Sequence, residues 1–169
     1  MAFQAQVLNT ILGGGVFNAR LMQNLREDKG YTYGAYSSLD ADSWAGSFSA
    51  GCSVRNAVTD SAVTQIMAEI ERIRNAPVTA DELALAKSNM AGNFARALED
   101  PRTIARFALN TYLNDLPEDH YETYLKRLDT VSIAGVQQAA ERFLKPDSAV
   151  ILVVGDKDSV QPWCHALRT

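Results

Sequence analysis

Hydrophobic and polar residues follow two different periods along this chain. In "GSFSAGCSV", residues 46–54, apolar and small polar residues alternate one by one, which is typical of a strand with one face against a core. The aromatic-rich "YTYGAYS" at 31–37 comes before it, and the residues between the two predict a hairpin loop. We expect one face of the second strand to lie on helices. Its residues are Phe48, Ala50, Cys52 and Val54.

Most of the remaining chain has apolar residues three and four positions apart, which is the spacing of an amphipathic helix. Two helix starts carry capping signals. Thr79 is followed three residues later by Glu82, a capping box, and Asp100 precedes Pro101. The sequence predicts helical segments at 3–12 and 16–28 and around apolar stripes at 63–73, 83–94, 104–111, 121–128 and 136–144.

Glycines are predicted to interrupt the first two helices. Each glycine costs about 1 kcal/mol in a helix interior, so the run at 13–15 should end the first helix. That run is equally compatible with a plain helix break and with a functional loop. Gly30 follows Lys29 and suits a left-handed cap. The second helix should therefore end directly before the first strand.

A continuous apolar run, "AVILVV" at 149–154, predicts a buried strand and is far too short to span a bilayer. A few strands beside many amphipathic helices indicate an α+β fold, in which an antiparallel or mixed sheet and several helices on one face form two layers. The sheet is small for so many helices, so we expect one or more N-terminal strands to be missing. No linker divides the chain, and residues 1–169 should form a single domain.

Composition excludes some classes of function. The length of 169 residues suffices for one domain with a core. The net charge of −4 argues against nucleic acid as the main partner, because phosphate binding requires a basic face. Cys52 and Cys164 are far apart. They indicate two partly buried thiols rather than a disulfide framework or a C-x-x-C site.

No complete active site is present in the sequence. Its two histidines, His120 and His165, form neither H-E-x-x-H nor H-x-x-E-H, and we interpret them as a solvent-facing residue and a residue near a frayed end. A nucleophile elbow and a phosphate-binding loop are also absent. Arg26 and Tyr33 remain as candidates, although spacing alone also explains them as a helix-terminal arginine and a strand tyrosine.

Four segments, which together span nearly the whole chain, carry a resemblance to a known family. They are "LGGGVFNARLMQNLREDKGYTYGAYS" (12–37), "PVTADELALAKSNMAGNF" (77–94), "LNDLPEDHYETY" (113–124) and "AAERFLKPDSAVILVVGD" (139–156). In this order they resemble the C-terminal, non-metal-binding half of the pitrilysin/insulinase-type zinc peptidases, which include the mitochondrial processing peptidases. The first segment is the most specific.

The resemblance implies a clamshell of two related halves, one of which carries H-x-x-E-H and zinc. The other half carries an arginine and a tyrosine seven residues apart, and Arg26 and Tyr33 match this pair. In the family the pair reaches the substrate near the scissile bond. There a guanidinium and a phenol can donate hydrogen bonds to the carbonyl and to the developing oxyanion. Arg26 and Tyr33 are thus implied to bind substrate, and no residue of this chain is implied to be catalytic.

The resemblance also implies partners. Zinc is expected in a partner half, on the same parent chain or on a separate subunit, and the substrates would be peptides or unfolded segments. We expect the chain to be a fragment of a longer peptidase, inactive alone, with an exposed sheet edge that allows self-association. One alternative is a non-catalytic structural or assembly module of the same fold. Another is a free-standing interaction domain that uses the small-residue face of the second strand.

Overall fold

Helices dominate the computed structural model, which describes residues 2–15, 17–41 and 46–156. In this part of the chain two strands form one antiparallel hairpin, and the fold is α+β, as predicted. Two of the helices continue as π-helical segments, at Thr10–Gly14 and Gln23–Asp28. The helices are α1 (Ala2–Asn9), α2 (Arg20–Met22), α3 (Thr59–Asn75), α4 (Ala80–Ala97), α5 (Pro101–Leu113), α6 (Tyr124–Asp129) and α7 (Ile133–Phe143), and the strands are β1 (Ala35–Ala41) and β2 (Gly46–Cys52).

The hairpin has the face polarity that the sequence predicts. Its register places Leu39 of β1 opposite Phe48 of β2. Ser47 and Ser49 on the other face of β2 are exposed. The predicted inner face is partly buried against the helical core. It consists of Phe48, Ala50 and Cys52 of β2 and of Val54, which follows the strand. Residues 42–45, in the predicted hairpin loop, lie outside the described residues.

The hydrophobic core lies where α1, the hairpin, α3 and α7 meet. Each large apolar side chain that is fully buried there contributes about 1.5–3 kcal/mol to folding. Because a two-stranded hairpin alone is marginal in water, these helix contacts hold the strands in place. The largest fully buried side chains are Leu12, Leu21, Leu25, Ile73, Leu128, Leu144, Val7 and Val136.

Both predicted capping signals are confirmed. Thr79 Oγ1 accepts a hydrogen bond from the Glu82 N–H at 3.1 Å, and the Glu82 carboxylate accepts one from the Thr79 N–H at 2.8 Å. Asp100 caps α5 by accepting from the N–H of Arg102 at 3.0 Å. Among the helices in the described ranges, none combines the length and the apolar character that crossing a membrane would need.

The first helical segment extends further than its glycines predict. Its backbone continues as a π-helix through Gly13 and Gly14 and becomes extended only at Gly15. A Cβ on Gly13 would lie 2.5 Å from the backbone nitrogen of Ser37 and 2.8 Å from Cδ1 of Leu21. The prediction that the helix ends at Gly13 is therefore wrong. Glycine is needed there because the π-helix and β1 approach too closely for a side chain.

The predicted strand at 149–154 is not formed. These residues have no regular secondary structure, and within the described chain they join no sheet. Instead of being buried, Val150, Leu152 and Val154 are 93%, 83% and 91% exposed. A strand needs a neighbour for its backbone hydrogen bonds, and here a groove lies between the segment and β2. The prediction of a buried strand is therefore wrong, because within the described chain no strand pairs with this segment.

Candidate functional site

The helical segment that carries Arg26 is fixed to two other helices. Arg20, at the start of this segment, forms an ion pair with Glu82 in the first turn of α4. One turn later the side-chain N–H of Asn24 donates to Oε1 of Glu69 on α3 at 2.8 Å. Arg20 and Glu69 are both buried. The base of the Arg26 segment is therefore held by polar contacts that are shielded from water.

The Arg20–Glu82 pair has the forked geometry that favours a strong interaction. Arg20 Nε lies 2.6 Å from Glu82 Oε1, and Nη2 lies 3.0 Å from Oε2. These hydrogen bonds lower the pKa of Glu82 from 4.5 to about 2, against burial, which raises it. The backbone hydrogen bond from Thr79 lowers the pKa further. Glu82 is thus ionised at neutral pH and serves both the ion pair and the helix cap.

Arg26 lies in the last turn of the π-helical segment. Its guanidinium carbon is 5.0 Å from the centroid of the Phe17 ring, in a cation–π contact. Its Nε is 3.4 Å from Oε1 of Glu27, and the side chain is 35% exposed. Surface ion pairs of this kind contribute little to stability. The η nitrogens have no hydrogen-bond partner in the described chain, so these donors remain available to a ligand.

A capped turn connects Arg26 to the loop that follows it. Gly30 has φ of +60°, a conformation that glycine adopts without strain. Its N–H donates to the Arg26 carbonyl at 3.1 Å, and the Tyr31 N–H donates to the Leu25 carbonyl at 2.9 Å. These bonds satisfy carbonyls at the helix end. The predicted left-handed cap at Gly30 is confirmed.

Tyr33 lies in the loop ahead of β1 rather than on the strand, which begins at Ala35. Its side chain is 96% exposed, and the structure gives its phenol no partner within the described residues. The backbone on either side is nevertheless fixed by Thr32, whose Oγ1 accepts from the Gly34 N–H at 3.1 Å and lies 2.8 Å from the Ser53 carbonyl. The exposed phenol of Tyr33 therefore projects from a segment whose backbone conformation is restrained.

The structure places Arg26 and Tyr33 on the two sides of one capped turn. Within the described ranges no hydrogen bond, ion pair or ring contact joins them. Arg26 contacts Phe17 and Glu27 instead. Both side chains reach the surface, so neither is sealed in the core. That the two tips converge on one substrate atom stays a prediction.

The part of the chain that the structure describes contains no cluster of three histidine, cysteine or acidic side chains that could hold a metal ion. His120 is half-buried rather than solvent-facing, and its ring packs edge-on against Tyr121 at 5.0 Å. Burial and the charge of Arg127 lower its pKa. Cys164 and His165 lie outside the described residues. The zinc ion that the resemblance implies therefore fits no group of side chains described here.

Two features of the site were not predicted from the sequence. Thr32 restrains the loop, and the order Thr-x-Gly is a local signal for such a side-chain turn. The ion pair between Arg20 and Glu82 has no local signal, because 62 residues separate its partners. The capping box predicted only that Glu82 lies in the first turn of a helix.

Comparison with known proteins identifies relatives. Residues 2–90 match the sequence profile of the family described as peptidase M16 inactive domain. A protein of Mycobacterium bovis named as a zinc protease is 31% identical over 166 residues, which are 95% of this chain and 37% of that protein. A Mycobacterium leprae protein, also named as a zinc protease, is 33% identical over 141 residues, 82% of this chain and 31% of that protein.

A solved structure agrees with the sequence comparisons. The peptidase M16 inactive domain from Pseudomonas fluorescens matches with a TM-score of 0.77 and 26% identity, over 86% of this chain and 35% of that one. The present chain thus spans well under half the length of each of these relatives. The family profile covers more than half of the chain, and the fold agrees. The chain therefore belongs to the peptidase M16 inactive-domain family of zinc proteases.

Proposed function

We propose that these 169 residues are the substrate-binding, C-terminal-type half-domain of a longer zinc metalloendopeptidase that cleaves peptides or unfolded segments. Zinc and the catalytic residues belong to a partner half, on the same polypeptide or on a separate subunit. The relatives named as zinc proteases support this proposal, since each is more than twice as long as the region it shares with this chain.

Arg26 and Tyr33 are the substrate-binding residues in this proposal. The observation that carries it is the side chain of Tyr33, which is 96% exposed although its backbone is held on both sides by Thr32. Folding gains nothing from burial of this ring. A restrained and exposed phenol is, however, suited to donating a hydrogen bond to a ligand, because little conformational entropy is lost on binding.

Arg26 supplies a second donor beside the same turn. Stacking on Phe17 orients the guanidinium and leaves its η N–H groups available. Two donors aimed at a peptide carbonyl would hold the substrate and stabilise negative charge on its oxygen, provided that the donors are positioned before the reaction. Neither residue moves a proton in this scheme, and both act as hydrogen-bond donors.

The test uses the peptidase assembled from this chain and its zinc-binding half. If Arg26 donates to the developing oxyanion, Arg26→Ala lowers kcat by about 100- to 1,000-fold, or about 3 kcal/mol. Tyr33→Phe removes one hydroxyl and should also lower turnover. Arg55→Ala changes an exposed arginine elsewhere and serves as the matched control. Unchanged turnover in both site variants would refute the proposed role.

A non-catalytic assembly module is the second candidate. It is favoured by the outer face of α5, which exposes Leu109 at 56%, Tyr112 at 84% and Leu113 at 68%. Apolar side chains exposed together often mark a contact with another protein. If the assembled protein lacks peptidase activity but Leu109→Lys prevents assembly, the module interpretation holds and the peptidase proposal fails.

A further inference from the structure

Helix α5 is attached to the rest of the domain by one of its faces. On this face Phe107 stacks on Tyr121, with the ring centroids 3.7 Å apart, and on Phe94 of α4 at 5.9 Å. The side-chain amide of Asn110 donates a hydrogen bond to the Tyr121 hydroxyl at 2.6 Å. These contacts fix the orientation of α5, so its opposite face is presented to the outside in a defined position.

The opposite face of α5 carries charged and apolar side chains in one stripe. Its members are three, four and seven positions apart, which is the spacing of residues on one side of a helix. All of them are exposed, and Tyr112 and Leu113 are 84% and 68% exposed. The stripe is charged toward the start of α5 and apolar toward its end. It consists of Arg102, Ala105, Arg106, Leu109, Tyr112 and Leu113.

The charges at both ends of this face oppose the helix macrodipole. Arg102 lies in the first turn of α5, where positive charge is unfavourable. Asp115 directly follows the C-cap residue, with φ of +48°, where negative charge is unfavourable. Both side chains are exposed, and neither has an ion-pair partner in the part of the chain that the structure describes. Inside the domain these charges only weaken α5, so any favourable contribution has to come from a contact outside it.

Positive and negative charge lie at opposite ends of the same face. Arg102 and Arg106 form its basic end, and Asp115 and Glu118, which follow the helix, form its acidic end. When a second copy lies antiparallel across this face, the basic end of each α5 meets the acidic end of the other. Two-fold symmetry repeats this contact and brings the two apolar parts together between the charged ends. The face is therefore complementary to itself.

We propose that a second copy of this chain docks on the exposed face of α5 and forms a two-fold symmetric dimer. The two helices lie antiparallel, with Arg106 near the partner's Asp115 and Arg102 near the partner's Glu118. α5 has 13 residues and is about 20 Å long. A contact of one such helix from each copy is small, so the dimer is weak and reversible. Its charged ends are exposed, so salt weakens it further.

This inference goes beyond the proposed function, and it does not depend on Arg26 or Tyr33. It also differs from association through the sheet edge, because no residue of α5 lines the groove beside β2. The two surfaces can therefore be changed independently.

Sedimentation velocity of the 169-residue chain, from low micromolar to submillimolar concentration, measures the proposed dimer. We expect a monomer–dimer equilibrium whose dissociation constant rises with salt concentration, since ion pairs between exposed groups are screened. A chain that stays monomeric over this whole range at low salt overturns the proposal.

Charge reversal identifies the paired ends. The basic-end variant combines Arg102→Glu with Arg106→Glu. The acidic-end variant combines Glu118→Lys with Asp115→Asn, because asparagine tolerates the positive φ at this position. Each variant alone should dimerise at least about tenfold more weakly than the native chain, since like charges then meet at both ends.

A mixture of these two variants is the decisive measurement. In a dimer of one basic-end variant and one acidic-end variant, the two altered ends face each other with opposite charge, and the two native ends also remain paired. An equimolar mixture should therefore recover the dimer, which also shows that both variants are folded. If the mixture stays as monomeric as its components, antiparallel pairing through α5 is refuted.

Apolar positions distinguish α5 from other surfaces. Leu109→Lys should weaken the dimer, whereas Leu152→Lys, which changes a residue 83% exposed at the groove, should leave it unchanged. The reverse result places self-association at the groove and overturns the proposal. If Leu109→Lys instead weakens binding of the zinc-binding half and leaves the monomer–dimer equilibrium unchanged, the face belongs to that half and the proposal also fails.

One further variant separates this inference from the proposed function. Arg26→Ala should leave the dimer unchanged, because Arg26 contacts Phe17 and Glu27 and not α5. If Arg26→Ala abolishes turnover in the assembled peptidase and the chain still dimerises, both proposals stand. If turnover is unaffected and the dimer remains, only the substrate role of Arg26 fails.

Discussion

Glu82 accepts hydrogen bonds from Arg20 with both of its carboxylate oxygens, at 2.6 and 3.0 Å, across 62 residues of sequence. The same carboxylate caps α4 through the Thr79 N–H. One charge therefore fixes the start of α4 and the base of the helical segment that ends in Arg26. Loss of this charge should disturb both elements.

The ion pair gives a stability prediction. Glu82→Gln removes the charge that compensates the buried Arg20, and unfolding should become about 2 kcal/mol easier, below the range for fully buried pairs because Glu82 is 28% exposed. Chemical denaturation at pH 7 measures this change. Glu27→Gln, in an exposed pair with Arg26, is the control and should change stability by less than about 0.5 kcal/mol. Equal effects would contradict a special role for Glu82.

The same residue gives a pH prediction. The folded pKa of Glu82 is about 2 and its usual value is 4.5, so the unfolded chain takes up this proton first. The stabilisation from ionised Glu82 is fully present above about pH 4.5 and is lost as the pH falls toward about 2. Denaturation between these pH values should show a steeper loss of stability in the native chain than in Glu82→Gln. Parallel curves would show that another carboxyl group governs this range.

Replacement of glycine by alanine should change the stability of the fold in opposite directions at two helical positions. Gly13→Ala places a Cβ 2.5 Å from the Ser37 nitrogen, and the resulting overpacking should cost about 1–3 kcal/mol. Gly92→Ala, in α4, meets nothing closer than 4.0 Å and should stabilise by up to about 1 kcal/mol. Thermal unfolding of the two variants measures both changes. A harmless Gly13→Ala would mean that the helix and β1 can separate.

The effect of a substitution at Gly30 on stability should depend on backbone conformation alone. A Cβ there meets nothing within 4 Å, but φ is +60°. Gly30→Ala should therefore destabilise by about 1–2 kcal/mol, and Gly30→Asn by less, since asparagine tolerates this conformation. Equilibrium denaturation separates the two variants. Identical losses would point to a steric cause that the structure does not contain.

The restraint on Tyr33 can be measured at a neighbouring amide. Thr32→Val keeps the shape of the side chain but removes the oxygen that accepts from the Gly34 N–H. Exchange of the Gly34 amide should become faster while the amides of β2 are unchanged. Thr64→Val removes a hydroxyl bond within α3 and is the matched control. Slow exchange at Gly34 in Thr32→Val would place the restraint elsewhere.

Local patterns were sufficient for several features. The alternation in β2, the capping box at Thr79 and the cap at Gly30 all depend on residues close in sequence, and each is confirmed. The α+β class follows in the same way, because periods of two and of three to four residues define which elements can form. Four segments, of which the first contains Arg26 and Tyr33, indicated the family from the sequence.

Other features depend on neighbours that local patterns do not specify. The C-terminal end of the first helical segment was predicted wrongly, because the close approach of β1 at Gly13 cannot be read from local sequence. The segment 149–154 was expected to be a buried strand, but the described chain supplies no strand beside it. The partnership of Arg20 with Glu82 likewise required the fold. The sequence alone thus determined most of the segments that become helix or strand, and it determined which family the chain resembles. Tertiary structure decided which charges pair, where glycine is obligatory and which edges stay open, because these depend on distances between segments that are remote in sequence.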